Sequence, residues 1–106
     1  MLKNELKTVE AFNEAIQGDQ VVVLFTADWC PDCFVIKPFI SEVEAAYDQF
    51  TFYMVNRDQL MDVCVEHDVF GIPSFIAFHQ GKETGRFVSK DRKTRAEIEA
   101  FLNGLA

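Results

Sequence analysis

Two spacings of apolar residues alternate along the chain and predict a succession of strands and helices. Short runs of apolar, β-branched and aromatic residues are typical of buried strands, and two such runs cover 21–26 and 51–56. Apolar residues three and four apart are typical of amphipathic helices. Segments with this helical spacing lie at 8–17, 31–48 and 58–67, and a fourth follows Thr94.

The order of these elements predicts how the strands pair. A long helix separates the two apolar runs, so they should form a right-handed βαβ unit with parallel strands. The segments 74–78 and 83–88 flank Gln80-Gly81 and predict an antiparallel hairpin, and a short strand is expected at 3–6. We therefore expect one α/β domain over 1–106, with a central mixed sheet of four to five strands flanked by about four helices.

Several residues mark the expected ends of the helices. Thr8 and Asp58 can cap the first and third helices, because short polar side chains accept hydrogen bonds from free N–H groups at a helix start. Thr94 and Glu97 have the spacing of a capping box. Pro38 lies within the predicted second helix, which it should kink.

The charge of the chain narrows the classes of partner. Its 106 residues carry a formal charge of −7, which argues against nucleic acid and anionic membranes as main partners. The first residues contain no apolar leader-like segment, so we expect a cytoplasmic protein, acting as a monomer. A small basic cluster, Lys90, Arg92, Lys93 and Arg95, is either a solvated helix start or a site for an anion or partner.

Cys30 and Cys33 carry the most specific chemical signal. They follow the first predicted strand directly, where a helix begins. The free N–H groups and the dipole of a helix start stabilise a thiolate, which is the nucleophile of thiol–disulfide exchange. This placement predicts that Cys30 attacks a substrate disulfide and that Cys33, one turn later, resolves the mixed disulfide.

Two alternatives to redox chemistry use the same cysteines. Together with Cys64 and His67, the pair offers four ligands suited to zinc, although the latter two continue the apolar stripe of a predicted helix. The pair could also be a purely structural part of the core. Cys64 alone is expected to be a small buried hydrophobe.

Three motifs in order along the chain resemble those of the thioredoxin family. The stretch 25–33, Phe-Thr-Ala-Asp-Trp-Cys-Pro-Asp-Cys, is similar to the family's active-site segment. Pro38 matches the proline of its active-site helix, and 71–74, Gly-Ile-Pro-Ser, matches its cis-proline segment. The resemblance covers nearly the whole chain and implies the thioredoxin fold.

The resemblance also implies a substrate groove. Pro73 would be cis and lie beside the dithiol, and the backbone around Ile72 and Ser74 would bind an extended substrate segment through main-chain hydrogen bonds. Trp29 would line the same groove, unless it is a core aromatic residue. No metal or organic cofactor is implied, since the redox group is the Cys30–Cys33 disulfide itself.

The sequence departs from the family pattern at the positions that handle protons. The residues between the cysteines are Pro-Asp in place of Gly-Pro, and Leu24 and Met54 stand where the family has a buried Asp and its Lys partner. Ser89 replaces a glycine beside the groove. Asp32 either stabilises the helix start or, with Asp28, relays the proton of the resolving thiol through water.

These features predict a dithiol reductase that reduces disulfides of proteins or of small molecules in the cytosol. Electrons would come from an upstream reductase or a low-molecular-weight thiol. The motif variant and an acidic rim formed by Asp28 and Asp32 favour the narrower class of small or mixed disulfides. The alternative from another class is a non-catalytic binding module that keeps the groove but does not cycle between redox states.

Overall fold

A five-stranded mixed sheet forms the centre of the computed structural model, which describes Leu2 and residues 4–105. Along the sheet the strands lie in the order β1-β3-β2-β4-β5. The first three strands in sequence are parallel to one another, and β4 and β5 are antiparallel additions, as the hairpin prediction requires. Their bounds are β1 (Glu5–Leu6), β2 (Val21–Thr26), β3 (Thr51–Asn56), β4 (Ser74–His79) and β5 (Lys82–Phe87).

Within the described residues, four helices cover the two faces of this sheet. They are α1 (Val9–Ala15), α2 (Pro31–Ala46), α3 (Met61–Glu66) and α4 (Arg95–Asn103). The core on one face includes residues of α1 and α3, and the core on the other face includes residues of α2 and α4. The predicted strand at 3–6 is confirmed for its last two residues, and Lys3 lies outside the described residues.

The second strand is the axis of the molecule. Every residue of β2 is buried, and because successive side chains of a strand point to opposite faces, Val21, Val23 and Phe25 belong to one core while Val22 and Leu24 belong to the other. This strand leads directly into the segment that carries the cysteines, whose position is thus fixed by both cores.

Two predicted helix caps are present and one is wrong. The Thr8 hydroxyl accepts from the Ala11 N–H, and Thr94 forms the complete capping box with Glu97. The third helix begins only at Met61, so Asp58 does not cap it. The Asn56 side chain accepts from the backbone N–H of Asp58 and holds that residue in a turn before the helix.

None of the helices over the described part of the chain combines the length and the apolar character needed to cross a lipid bilayer.

Candidate active site

Cys30 and Cys33 form a disulfide at the junction of β2 and α2. Their Cα atoms lie 5.2 Å apart, and only 4% of Cys30 and 2% of Cys33 is exposed. Cys30 is the N-cap of α2, and its Sγ accepts the backbone N–H of Cys33 at 3.2 Å. The junction expected from the sequence is therefore present, and Pro31 occupies the first helical position, where a missing N–H costs nothing.

This arrangement suits a thiolate at Cys30. The N–H of Cys33 points at the Cys30 sulfur, and the N-terminal end of α2, which carries partial positive charge, lies beside this sulfur. Both interactions favour the charged form of a Cys30 thiol.

The segment 71–74 lies against the disulfide. The Ile72–Pro73 peptide bond is cis, as predicted, and the Ile72 carbonyl oxygen lies 4.0 Å from Cys30 Sγ. Ser74 is buried, and its hydroxyl lies within hydrogen-bond distance of the carbonyl oxygens of Gly71 (2.6 Å) and Ser89 (3.2 Å). The Ser74 side chain therefore braces this segment from inside.

A groove of about 250 Å³ opens above Cys30, and we call it the docking groove. Two aromatic side chains on its rim are unusually exposed, Trp29 at 58% and Phe70 at 77%. Trp29 is thus a rim residue, and the alternative that it belongs to the core is wrong. The groove is lined by residues 29–32, Arg57, 70–72 and Lys90.

The orientation of Trp29 is fixed by two contacts. Its Nε1–H donates to Asp58 Oδ2 at 2.7 Å, and the Arg57 guanidinium lies 5.5 Å from the centre of the indole ring. A cation at this distance from an indole is attracted by the ring. Asp58, wrongly predicted as a helix cap, therefore positions a residue of the groove.

Asp32 faces the groove but is engaged in an ion pair. Arg92 Nε lies 3.0 Å from Asp32 Oδ1, and Asp32 is the acidic residue of the first turn of α2. The groove also contains Arg57 and Lys90. The expectation of an acidic rim is therefore wrong at this edge, because the carboxylate of Asp32 is matched by Arg92 and two further cations line the same groove.

A second cavity, of about 320 Å³, lies on the other side of the disulfide, and we call it the rear cavity. Cys33 and Asp28 both line it, together with Met54. Leu24, fully buried, is the partner of Met54 in the β2–β3 register. The two apolar replacements thus lie side by side, as the resemblance implies.

The surroundings of Cys64 and His67 are not those of a metal site. Cys64 is 1% exposed, and burial raises the pKa of its thiol. The His67 ring packs against the rings of Phe12 and Phe78, 5.2 and 5.7 Å away between centroids. Among Leu2 and residues 4–105, no three His, Cys, Asp or Glu side chains are grouped so that they could hold a metal ion.

Three residues of the docking groove lie outside the motifs that the sequence pointed to: Arg57, Phe70 and Lys90. Lys90 belongs to the basic cluster identified in the sequence. The spacing of that cluster does not show that it lies next to the cysteines in the fold. The adjacency of Phe70 to the Gly-Ile-Pro motif is a signal that could have found it.

Comparisons with known proteins agree with this geometry. The family model described as Thioredoxin matches residues 3–104. Human thioredoxin is 34% identical over 104 residues, covering 95% of this chain and 96% of that protein, and the mitochondrial thioredoxin-2 of Schizosaccharomyces pombe is 32% identical over 98 residues, covering 92% and 74%.

A solved structure confirms the predicted fold. The thioredoxin of Plasmodium falciparum superposes with a TM-score of 0.86 at 21% identity, covering 97% of this chain and 99% of that one. The family match, the fold match and the position of the Cys30–Cys33 pair all point to the same family. The chain therefore belongs to the thioredoxin family of disulfide oxidoreductases, with Cys30 and Cys33 as its redox pair.

Proposed function

We propose that the protein acts mainly as a reductant, with Cys30 as the attacking cysteine and Cys33 as the resolving one. The observation that carries this assignment is the N-cap position of Cys30, where its Sγ accepts the Cys33 N–H beneath the docking groove. Cys33 lines only the opposite, rear cavity among the two cavities beside the disulfide. Substrate thus approaches Cys30.

The proposed reaction proceeds in two exchanges. The Cys30 thiolate attacks one sulfur of the substrate disulfide, forms a mixed disulfide and releases the other substrate sulfur as a thiolate. Cys33 then loses its proton and attacks Cys30 Sγ, which releases the second substrate thiolate and forms the Cys30–Cys33 disulfide. The substrate gains the two electrons that the protein dithiol loses.

In this proposal, Trp29, Ile72, Pro73 and Ser74 bind the substrate. Trp29 and Ile72 line the groove, while Pro73 and Ser74 lie buried next to them. An extended substrate segment would lie along the backbone at Ile72 and Ser74, as in other complexes formed through main-chain hydrogen bonds. The Ser74 side chain contributes indirectly, since its hydroxyl bonds within the protein.

The proton of Cys33 needs an acceptor, since Leu24 and Met54 offer none. We propose Asp28 and Asp32 for this role, through water. The shared lining of the rear cavity by Cys33 and Asp28 supports Asp28, whereas Asp32 is bound to Arg92 on the groove side. Asp28 is thus the better placed of the two carboxylates.

We also propose where the protein acts, in which oligomeric state, and what reduces it again. The redox group is part of the polypeptide. We expect one domain over 1–106, a cytosolic monomer, and re-reduction by an upstream reductase or a low-molecular-weight thiol. The substrates are disulfides of proteins or small molecules.

Turnover by cysteine variants tests the function. Wild type should reduce insulin or cystine when coupled to a chemical or enzymatic reductant, Cys30→Ser should be inactive, and Cys33→Ser should stop at a mixed disulfide visible by mass spectrometry. Cys64→Ser is the matched control and should keep full activity. The Cys30–Cys33 reduction potential should be about −270 mV, whereas a value of about −120 mV would identify an oxidant.

The same experiment separates the alternative of a non-catalytic binding module. Such a module would bind disulfide substrates without turnover. In such a module, the fluorescence of Trp29 would not change when a reductant is added. A redox-active protein should show a change, because Trp29 is adjacent to Cys30. Activity that survives in Cys30→Ser would contradict the assigned roles.

A further inference from the structure

The docking groove carries positive charge in a protein whose net charge is −7. Arg57 and Lys90 line the groove, and neither forms an ion pair with a carboxylate among the described residues. The acidic residue of the lining, Asp32, is bound by Arg92. The groove therefore offers two cations without acidic partners, close to the attacking sulfur.

The backbone on both sides of Lys90 is held in place by the buried side chain of Lys93. Lys93 is 1% exposed, and its Nζ donates to the carbonyl oxygens of Ser89 (3.1 Å) and Asp91 (2.9 Å), the two neighbours of Lys90. It also donates to the Ser89 hydroxyl at 3.0 Å. Burying an ammonium group is costly unless it is hydrogen-bonded, so this lysine fixes the segment on both sides of Lys90.

A close backbone contact brings the same segment to the cis-proline loop. A Cβ atom added to Gly71 would collide with the backbone of Ser89 and Lys90. The two segments therefore touch at a position where only glycine fits. Lys90 is therefore held at the groove by this contact and by the hydrogen bonds of Lys93.

Arg57, the second cation, is held in place by a residue of the groove rim. Arg57 lies over the Trp29 ring, and the indole N–H is bound to Asp58. Trp29 and Phe70 add exposed apolar surface to the same groove. An occupant that matches this groove has apolar parts together with carboxylates.

We propose that the groove selects peptide disulfides whose cysteine is flanked by Asp or Glu, with Lys90 and Arg57 as the specificity-determining residues. This inference rests on the proposed function and names its substrate class. The flanking carboxylates pair with the two cations, while the adjacent chain packs on Trp29 and Phe70. Because the protein as a whole is acidic, the preference comes from contact within the groove and not from attraction at long range.

Three synthetic peptides test the proposal, each with one disulfide and differing only in the two residues that flank one cysteine: Glu, Gln or Lys. With wild type, kcat/KM should fall in the order Glu, Gln, Lys, with about three- to tenfold between the extremes, because each exposed charge pair contributes only a little to binding. Equal values for the three peptides would overturn the proposal.

Two charge-reversal variants separate a local contact from net charge. Lys90→Glu should abolish or invert the order of the peptides, and Lys90→Met should weaken it, since Arg57 remains in the groove. Lys82→Glu makes the same change in net charge at an exposed residue of β5 outside the groove, so it should keep the wild-type order. Equal effects of Lys90→Glu and Lys82→Glu would overturn the role of Lys90.

Three further outcomes are informative. A preference for glutathione disulfide over the Glu peptide that depends on Lys90 would overturn the peptide as occupant and assign the cations to small carboxylated disulfides. If wild type turns over none of the disulfides, the proposed function itself fails. Turnover of the Gln peptide without any preference overturns only the present inference.

Discussion

The Arg92 guanidinium holds the Asp32 carboxylate, with 3.0 Å between Nε and Oδ1. The pair joins the loop before α4 to the first turn of α2, beside the N-cap cysteine. An unpaired carboxylate at this place would oppose the Cys30 thiolate, since like charges raise the pKa of an acid. Arg92 therefore offsets a charge that would otherwise lower the fraction of Cys30 present as thiolate.

Substitution of Arg92 should accordingly raise the pKa of the Cys30 thiol in the reduced protein. We expect a higher pKa in Arg92→Gln and a lower one in Asp32→Asn, measured from the rate of iodoacetamide alkylation across pH. Arg95→Gln is the matched control, because Arg95 pairs with Glu42 and Glu99 away from the groove. A pKa that falls in Arg92→Gln would contradict the offsetting role.

The resolving step should depend more on Asp28 than on Asp32. Asp28 shares the rear cavity with Cys33, so a water there can pass the proton of Cys33 to its carboxylate. We expect Asp28→Asn to slow the resolution of a preformed mixed disulfide on Cys30 by about tenfold, less than is usual for direct proton transfer, and Asp32→Asn to slow it less.

Stopped-flow fluorescence across pH measures this step. The rate in Asp28→Asn should keep rising with pH where the wild-type rate has levelled, because hydroxide then replaces the missing acceptor. Equal rates in wild type and Asp28→Asn would remove Asp28 from the mechanism.

Much of the fold could be predicted because it depends on local patterns. The strands at 21–26 and 51–56 appear with the predicted bounds, since unbroken apolar runs leave little choice of element. The third helix was predicted too long because Asp58 looks like a cap in the sequence. Its carboxylate is used by Trp29, 29 residues away, and no local rule shows that.

The candidate site was less predictable where it depends on distant segments. The N-cap position of Cys30 follows from the strand before it. The charge of the groove does not follow from any local pattern. It arises because Arg57 and Lys90, from two other parts of the chain, line the same groove as residues 29–32. The sequence suggested an acidic rim since Asp32 is adjacent to the cysteines, while its partner Arg92 is 60 residues away.

Restoring the missing carboxylate in the core should destabilise the protein. Leu24 is fully buried and its neighbour on β3 is Met54, so the carboxyl group of Leu24→Asp would have no cationic partner there. We expect a loss of about 3–5 kcal/mol in the free energy of unfolding at pH 8, measured with guanidinium chloride.

The pH dependence and a second substitution identify the cause. Burial raises the pKa of the introduced carboxyl above its unfolded value, so the loss should shrink as the pH is lowered towards 5. Leu24→Asn should show no such dependence. Adding Met54→Lys should recover part of the stability, and a double variant no more stable than Leu24→Asp would show that the two positions do not couple.

Cys64 should be unreactive in the folded protein. Its thiol is 1% exposed, and its pKa is raised above the ordinary value of 9.0, first by burial and then by Asp58, against the lowering effect of Arg57. The reduced protein should therefore consume two thiols rapidly with a disulfide reagent at pH 8, since Cys33 resolves the mixed disulfide formed on Cys30, and a third only in denaturant. Cys64→Ala should show two in both conditions, and three rapid thiols in the folded wild type would contradict the burial.

The raised pKa of Cys64 also predicts a loss of stability in alkali. The fold disfavours the thiolate, so this group's contribution is fully present below pH 9.0, where the unfolded chain keeps the same proton. It is lost as the pH rises from 9.0 through the higher pKa of the folded state, because the unfolded chain then releases the proton first. Denaturant titrations at pH 7.5 and 9.5 should show a larger decrease for wild type than for Cys64→Ala, and equal decreases would mean that Cys64 ionises as easily in the folded chain as in the unfolded one.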